Sequence, residues 1–212
     1  TKQKAAGALG PEEPRMVKDG PNPCRPGVTL FKSEKEGDPK GVALSHRNIV
    51  ANVHQILAHV PEALGLDDVL FNPLPTFHCF GLTAGALLPL LGGMKSVLHP
   101  SPLQTKIIPK RVEETGATIL FATDTFLNQY IRACQGNELG KLRFAVCGAE
   151  RVRDETRQLV RRRFNVELLE GYGVTEASPV VAVNQPGNNR PGTVGTMLPG
   201  IEAKFEAVPG IN

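Results

Sequence analysis

No apolar run in this chain approaches the roughly 18–20 residues that a helix needs to cross a bilayer. Its first residues, Thr-Lys-Gln-Lys-Ala-Ala-Gly, have no long apolar core behind their basic side chains, so they do not read as a secretory signal. Cysteine is sparse. Cys24, Cys79, Cys134 and Cys147 lie far apart with no Cys-x-x-Cys pair, which points away from a disulfide frame or zinc site and toward reduced thiols in a cytoplasmic protein. Cys134 and Cys147 sit among apolar neighbours, as small core residues do. A net charge of +3 is too small to argue for nucleic acid as a partner. Internal repeats are missing, and so is the Gly-Lys-Ser/Thr of P-loop enzymes. What remains, 212 residues with 41% hydrophobic and 21% charged content, fits a globular protein of one or two domains.

Residues 1–27 are rich in Gly, Pro, Lys and Glu and read as a loose segment. From residue 28 onward, short β-type runs alternate with helical stretches. Strands are expected at 28–31 and 42–44, on either side of a loop rich in glycine and lysine. Ser45 is a good N-cap for a helix whose apolar face is Ile49, Val50, Val53, Ile56, Leu57 and Val60. Further strands are expected at 69–72, 95–99, 118–122, 142–147 and 166–169. Helices are expected at 82–91 (Gly-rich and buried), 107–115, 125–135 and 154–164. Alternation of this kind predicts an α/β fold with a largely parallel sheet flanked by helices over 28–178. Residues 179–212, with β-type runs at 180–183, 192–195 and 201–207, read as the start of a β-rich subdomain. A basic cluster, Arg151, Arg153, Arg157 and Arg161 to Arg163, falls on one of the helices; it reads as a solvated face or as a docking patch for an acidic carrier protein or membrane surface.

Several loops carry groups suited to a polyanionic ligand. Lys40, preceded by Pro39 and flanked by Gly37 and Gly41, can present an ammonium to phosphate. In Glu170-Gly171-Tyr172-Gly173-Val174-Thr175-Glu176 the glycines let the backbone turn sharply and approach a ligand. Tyr172 offers a flat face, Thr175 a hydroxyl and Glu176 a hard oxygen suited to Mg²⁺ beside phosphate. The Gly/Lys loop, Phe77-His78, Gly148-Ala149-Glu150 and residues 171–176 each follow an expected strand. In open parallel sheets such positions converge on one crevice.

The segment 31–46, together with 71–83, Pro100-Ser101-Pro102-Leu103 and 169–200, resembles the adenylate-forming superfamily of acyl-CoA synthetases, acyl-carrier-protein synthetases, luciferases and peptide-synthetase adenylation domains. The narrower likeness is to the acyl-[acyl-carrier-protein] synthetase half of bacterial bifunctional 2-acylglycerophosphoethanolamine acyltransferases. The resemblance implies a fragment of a large adenylation domain from a ligase that uses ATP and Mg²⁺ to activate a fatty acid as acyl-AMP. The acyl group would then pass to acyl carrier protein or CoA, in an intact protein that is cytoplasmic or associated with the inner membrane. It further implies that Tyr172 lies against adenine, with Gly148, Ala149 and Glu150 along the base or ribose. Ser33, Gly37, Lys40, Gly41, Gly171, Gly173 and Thr175 would also bind the nucleotide, with Lys40 and Thr175 at phosphate; Glu176 would bind Mg²⁺, His78 would lie near the acyl carboxylate, and Lys40, His78, Thr175 and Glu176 would be the catalytic residues. The segments 80–91 and 121–126 would line an acyl tunnel, or simply pack in the core.

Two departures are visible. Lys32, Glu34 and Lys35 stand where the family has a threonine, a glycine and a hydroxyl residue. A carboxylate facing a phosphate costs on the order of 4 kcal/mol at an effective dielectric of 20, which the two lysines can offset. The family's later ribose-binding aspartate and its small C-terminal domain lie outside the resemblance, so weak nucleotide binding without turnover is the expectation for the chain alone. A non-catalytic scaffold that binds lipid or carrier protein, and an amino-acid- or aryl-acid-activating domain, remain the alternatives.

Overall fold

The computed structural model describes residues 22–32 and 40–206. Most of the segment 1–27, the loop residues Ser33, Glu34, Lys35, Glu36 and Gly37, and the end of the 201–207 run therefore lie outside the described residues. The chain opens with two strands, β1 (Pro26–Lys32) and β2 (Lys40–Ser45), paired antiparallel in a ribbon of their own. Helix α1 (His46–His59) starts where expected. The Ser45 hydroxyl accepts the Asn48 N–H at 3.2 Å while the Asn48 side chain accepts the Ser45 N–H at 3.0 Å, a reciprocal cap of two otherwise unpaired donors.

Strand β3 (Val69–Asn72), a π-helix (Phe80–Leu87) continued by α2 (Leu88–Gly92), and β4 (Lys95–Leu98) come next. They lead into α3 (Ile108–Thr115), β5 (Ile119–Ala122), α4 (Asp124–Ala133), β6 (Phe144–Cys147), α5 (Asp154–Phe164) and β7 (Glu167–Gly173). A 3₁₀ turn (Thr175–Ala177), β8 (Val180–Val183) and β9 (Thr196–Met197) complete the chain. Seven strands form one sheet in the order β4-β3-β5-β6-β7-β8-β9. The first five are mutually parallel, and β8 and β9 add antiparallel. The fold is thus α/β with a mostly parallel sheet flanked by helices.

Strand alternation divides the core between the two faces of the sheet. Leu120, Ala122, Ala145 and Leu168 pack with Val112, Leu127, Ile131, Val160 and Phe164 of α3, α4 and α5. Leu70, Ile119, Phe121, Phe144 and Leu169 point the other way, against Val53, Ile56 and Leu88 of α1 and α2. Burial on both faces is what makes β5, Ile-Leu-Phe-Ala, apolar at every position. Each buried Val, Leu, Ile or Phe side chain contributes roughly 1.5–3 kcal/mol. Cys79, Cys134 and Cys147 are buried thiols and Cys24 is exposed. Among the described residues no helix is long and apolar enough to cross a membrane.

Several expectations are corrected. The Gly/Lys loop joins the two strands of the separate ribbon and so does not follow a strand of the main sheet. The helix expected at 82–91 begins two residues earlier and is π-wound over Phe80–Leu87, and Leu90 and Leu91 at its end are exposed. Close packing accounts for its glycines. A Cβ at Gly85 would come 2.1 Å from the Asn72 amide nitrogen, and one at Gly81 would come 2.2 Å from the Pro75 carbonyl oxygen. Buried Asn72 fills that space, donating to the Gly81 carbonyl at 3.1 Å and accepting the Leu74 N–H at 3.1 Å. Residues 192–195 and 201–206 form no strand, and the short β9 lies between them. In the arginine cluster, Arg151, Arg153 and Arg161 to Arg163 are exposed, as a solvated face requires, and Arg157 is partly buried. Arg153 pairs with Asp124 at 2.5 Å, Arg157 with buried Glu170, and Arg163 donates to the Ile131 carbonyl at 2.7 Å.

Candidate functional site

Gly171 and Gly173 do not turn the chain. Both lie inside β7, opposite Val183 and Val180 of β8, without positive φ. Their need for glycine is steric: a Cβ on Gly173 would sit 2.4 Å from the Pro179 carbonyl oxygen, and one on Gly171 would sit 3.3 Å from Val183. The chain turns only afterwards, through the 3₁₀ turn that carries Thr175 and Glu176. That turn is closed by the Val174 N–H donating to Pro179 O at 2.9 Å and the Ala177 N–H donating to Val174 O at 2.9 Å. Tyr172, between the glycines, is half exposed.

Beside it lies a largely apolar cavity of about 100 Å³. His78, Gly148, Ala149, Gly171, Tyr172 and Gly173 all line it, so three of the four loops named from sequence meet there. Its remaining wall is mostly aliphatic and aromatic, and includes Ile56, Phe80, Leu88, Phe121, Val146 and Leu169. Ala84 and Phe121, from the segments expected either to line an acyl tunnel or to pack in the core, are buried and also face this space.

Glu150 is not among the lining residues. Its carboxylate accepts the Thr125 N–H at 3.0 Å and the Thr125 hydroxyl at 2.8 Å, at the start of α4. That position suits a carboxylate, which satisfies unpaired amide donors of the first helical turn. Gly41 lies on β2 among neighbours of its own ribbon, where a Cβ would meet the Phe31 ring and Thr29 at 3.3 Å. Ser33 and Gly37 are outside the described residues.

Lys40, Thr175 and Glu176 form a second, polar part of the site. Lys40 opens β2 and is the direct cross-strand partner of Lys32, the last residue of β1. The Lys32 ammonium is 2.5 Å from the Glu176 carboxylate. This contact first, then a backbone N–H and the charges of Lys32 and Lys40, hold the Glu176 carboxyl below the usual carboxylate range. The two lysines and Glu176 are therefore electrostatic neighbours, on the same side of the molecule. Thr175 connects this part to the cavity, its hydroxyl lying 3.4 Å from the Sγ of Cys79, which also lines the cavity.

Cys79 was not anticipated as a site residue. Its only sequence signal was adjacency to His78. His78 accepts the Phe80 N–H at Nδ1, at 3.2 Å, with the Cys79 sulfur 4.0 Å away. The sulfur raises the His78 pKa against the opposing effect of burial. Burial pushes the Cys79 thiol up, but His78, Thr175 and the Phe80 N–H together outweigh it and bring the thiol below its ordinary value. Two of the other histidines have structural partners. His59 contacts the Val183 carbonyl at 3.0 Å, and His99 contacts Gln104 at 2.9 Å while stacking on Phe71.

Mg²⁺ commonly binds through one or two carboxylates plus substrate phosphates and keeps several waters. Among the described residues no group of three or more His, Cys, Asp or Glu side chains gathers to hold a metal. Glu176 suits the one-carboxylate arrangement, and Lys32 is already on it.

Residues 36–208 match the family model described as AMP-binding enzyme. The chain is 31% identical over 188 residues to the protein named "Probable 4-coumarate--CoA ligase 3" of Dictyostelium discoideum, covering 84% of this chain and 33% of that one. To the long-chain-fatty-acid–CoA ligase of Bacillus subtilis strain 168 it is 31% identical over 182 residues, covering 83% and 32%. Among solved structures, a malonyl-CoA ligase ternary product complex with methylmalonyl-CoA and AMP bound is similar with a TM-score of 0.75 at 25% identity, covering 92% of this chain and 43% of that one. The chain thus spans about a third of the length of the curated relatives it matches.

Proposed function

Because the chain belongs to the AMP-binding enzyme family, we propose that it is the nucleotide- and acyl-holding part of an ATP-dependent acid–thiol ligase. In the first step a carboxylate oxygen of the acid attacks the α-phosphorus of ATP, the bond to pyrophosphate breaks, and acyl-AMP forms. In the second a thiol attacks the acyl carbon, and AMP leaves. Little covalent chemistry falls to the protein; positioning and charge stabilisation carry the reaction.

The observation that carries this reading is the junction of two unlike spaces. On one side lies an apolar cavity with Tyr172 and His78 on its wall; on the other lie Lys32, Lys40 and Glu176. Thr175 and Cys79 join the two. A nucleotide joined to an acyl group has the same division, with charge at one end and hydrocarbon at the other. In this reading Tyr172 lies against the adenine, with Gly148 and Ala149 beside it. Lys40 and Thr175 hold phosphate oxygens, and His78 faces the acyl carboxylate. Glu176 would hold Mg²⁺, which when bound screens the phosphate charge. The acid is a fatty acid, because the wall offers aliphatic and aromatic surface and few polar partners. The acceptor is the thiol of CoA or of an acyl carrier protein, and the intact protein works in the cytoplasm or against the inner membrane.

Calorimetric titration with ATP and Mg²⁺ tests the reading. The chain should bind ATP, and Lys40→Ala and Glu176→Gln should each weaken binding by roughly tenfold, as expected for charge-assisted contacts. Absence of ATP binding, or unchanged affinity in both variants, would refute it. Acid-dependent pyrophosphate exchange should be missing from this chain alone.

A further inference from the structure

The apolar cavity has two ends of different character. At one, His78 and Cys79 reach its wall beside Thr175, and Cys79 packs with Ile49 near the start of α1. At the other, Val60, Ala63 and Leu64, from the end of α1 and the stretch just after it, share the wall with Asn184 and Pro186, which follow β8. Those two stretches are tied together. His59 Nε2 lies 3.0 Å from the Val183 carbonyl, and Gln185 donates to the His59 carbonyl at 2.6 Å. From Ile49 to Val60 the helix rises about 16 Å, so a hydrocarbon that starts at His78 runs alongside α1 toward Leu64.

We infer that Leu64, together with Val60 and Pro186, is the stop that receives the methyl end of the acyl chain, setting the length of acid the site takes and rejecting acids with a second carboxylate. The inference rests on the reading of this cavity as the acyl site. Leu64 is presented by backbone that is fixed on both sides. The Ala63 N–H donates to the Val60 carbonyl at 3.0 Å, and the Gly65 N–H donates to the Asp68 carboxylate at 2.9 Å. Asp68 is itself held by Arg143 at 2.7 Å through both oxygens. A wall held in this way cannot yield freely to a longer tail. Among the described residues Asn184 is the one polar side chain lining this end, and its amide N–H groups are already engaged. They donate to the Glu170 carbonyl at 3.3 Å and the Thr193 carbonyl at 2.7 Å, while its oxygen accepts the Arg190 N–H at 2.9 Å. A carboxylate arriving here would lose its water and find no side-chain donor, whereas a methyl group would lose nothing.

The test is the affinity of non-hydrolysable acyl-AMP analogues with straight chains from butanoyl to hexadecanoyl, measured calorimetrically on the full chain, on Leu64→Ala and on Leu64→Phe. Each methylene that meets apolar wall should strengthen binding about fourfold, up to the length at which the tail reaches the stop and no further. That limiting length should be greater in Leu64→Ala and smaller in Leu64→Phe. Each profile compares ligands on one protein, so a general loss of stability in a variant cancels. On the parent, the decanoyl analogue with its methyl end replaced by carboxylate should bind roughly tenfold more weakly or worse. An unchanged limiting length in either variant, or a carboxylate-ended analogue as tight as its methyl-ended counterpart, would overturn the inference while leaving the ligase reading in place. Failure of the parent to bind an acyl-AMP analogue of any length would overturn both.

Discussion

The Cys79 sulfur and the Thr175 hydroxyl meet at 3.4 Å, joining the loop after β3 to the turn after β7 across 96 positions of sequence. Cys79 is 4% exposed and packs with Leu30, Leu44 and Ile49, so it also fastens the ribbon and the start of α1 to the sheet. Replacing it separates two roles. Cys79→Ala removes both the packing and the contact with Thr175, whereas Cys79→Ser keeps a hydroxyl able to hold Thr175. Calorimetry should show ATP affinity falling roughly three- to tenfold in Cys79→Ala and much less in Cys79→Ser, the range of one modest hydrogen bond. Equal losses in the two variants would mean that packing alone matters.

Gly173→Ala should damage fold and site together. The added methyl would have to push aside the backbone carbonyl of Pro179, only 2.4 Å from where it must sit, and backbone cannot rotate away as a side chain can. Overpacking of this kind costs about 1–3 kcal/mol. The strain falls between Tyr172 and Thr175, so ATP affinity should drop along with the urea midpoint. Gly187→Ala is the control for the method: its Cβ meets nothing within 4 Å, so its cost should come only from a positive φ of 75°.

The parallel order of β-α units was legible because periodicity, caps and apolar runs are local signals. Strands at 69–72 and 180–183 and the helix at 154–164 stand where the sequence puts them. The roles of Gly171 and Gly173 were misread because glycine has two uses, a turn and a close approach, and only the neighbouring strand decides between them. That strand, β8, lies several residues further on, and the carbonyl of Pro179 forces the choice at position 173. The Lys32–Glu176 pair lay out of reach for a related reason. Sequence marked Lys32 as an oddity in its loop and Glu176 as an oxygen ligand, but their contact depends on how a separate ribbon leans on the sheet. Glu150 shows the limit of reading a residue type from its position alone, since its carboxylate serves the first turn of α4.

Asp68 gives a pH dependence whose sign is fixed. Burial pushes its carboxyl up, but hydrogen bonds from Arg143, Thr118 and the Gly65 N–H outweigh it and hold the group below the usual carboxylate range. Arg143 reaches both Asp68 oxygens at 2.7 Å, and Thr118 donates at 2.7 Å. A depressed folded-state value means that the stabilisation is present above the unfolded value of about 3.9 and is lost as pH falls through the folded value. At pH 7, Asp68→Asn should therefore lower stability by about 1–3 kcal/mol, since Arg143 is left without its partner but partly in water. The gap between variant and parent should narrow below about pH 4. Denaturant titrations at pH 7, 5 and 3.5 check this, and a gap that stays constant or widens in acid would contradict it.

Val146 offers a way to separate the two halves of the site. It lies on β6, is only partly buried, and lines the apolar cavity. A phenylalanine there would project into a space of about 100 Å³ and fill much of it, yet would touch neither Lys40 nor Glu176. If that space holds the hydrocarbon, Val146→Phe should weaken binding of a non-hydrolysable dodecanoyl-AMP analogue by roughly tenfold or more, because few methylene groups at about 0.8 kcal/mol each can still be buried. ATP affinity should fall less than that of the acyl analogue, since the phosphate contacts of Lys40 and Thr175 are untouched even though the adenine rests on Tyr172, Gly148 and Ala149 of the same cavity. ATP weakened as much as the acyl analogue would mean that the adenine, not the hydrocarbon, occupies the space beside Val146. Equal affinities of the variant and the parent for the acyl analogue would put the hydrocarbon elsewhere.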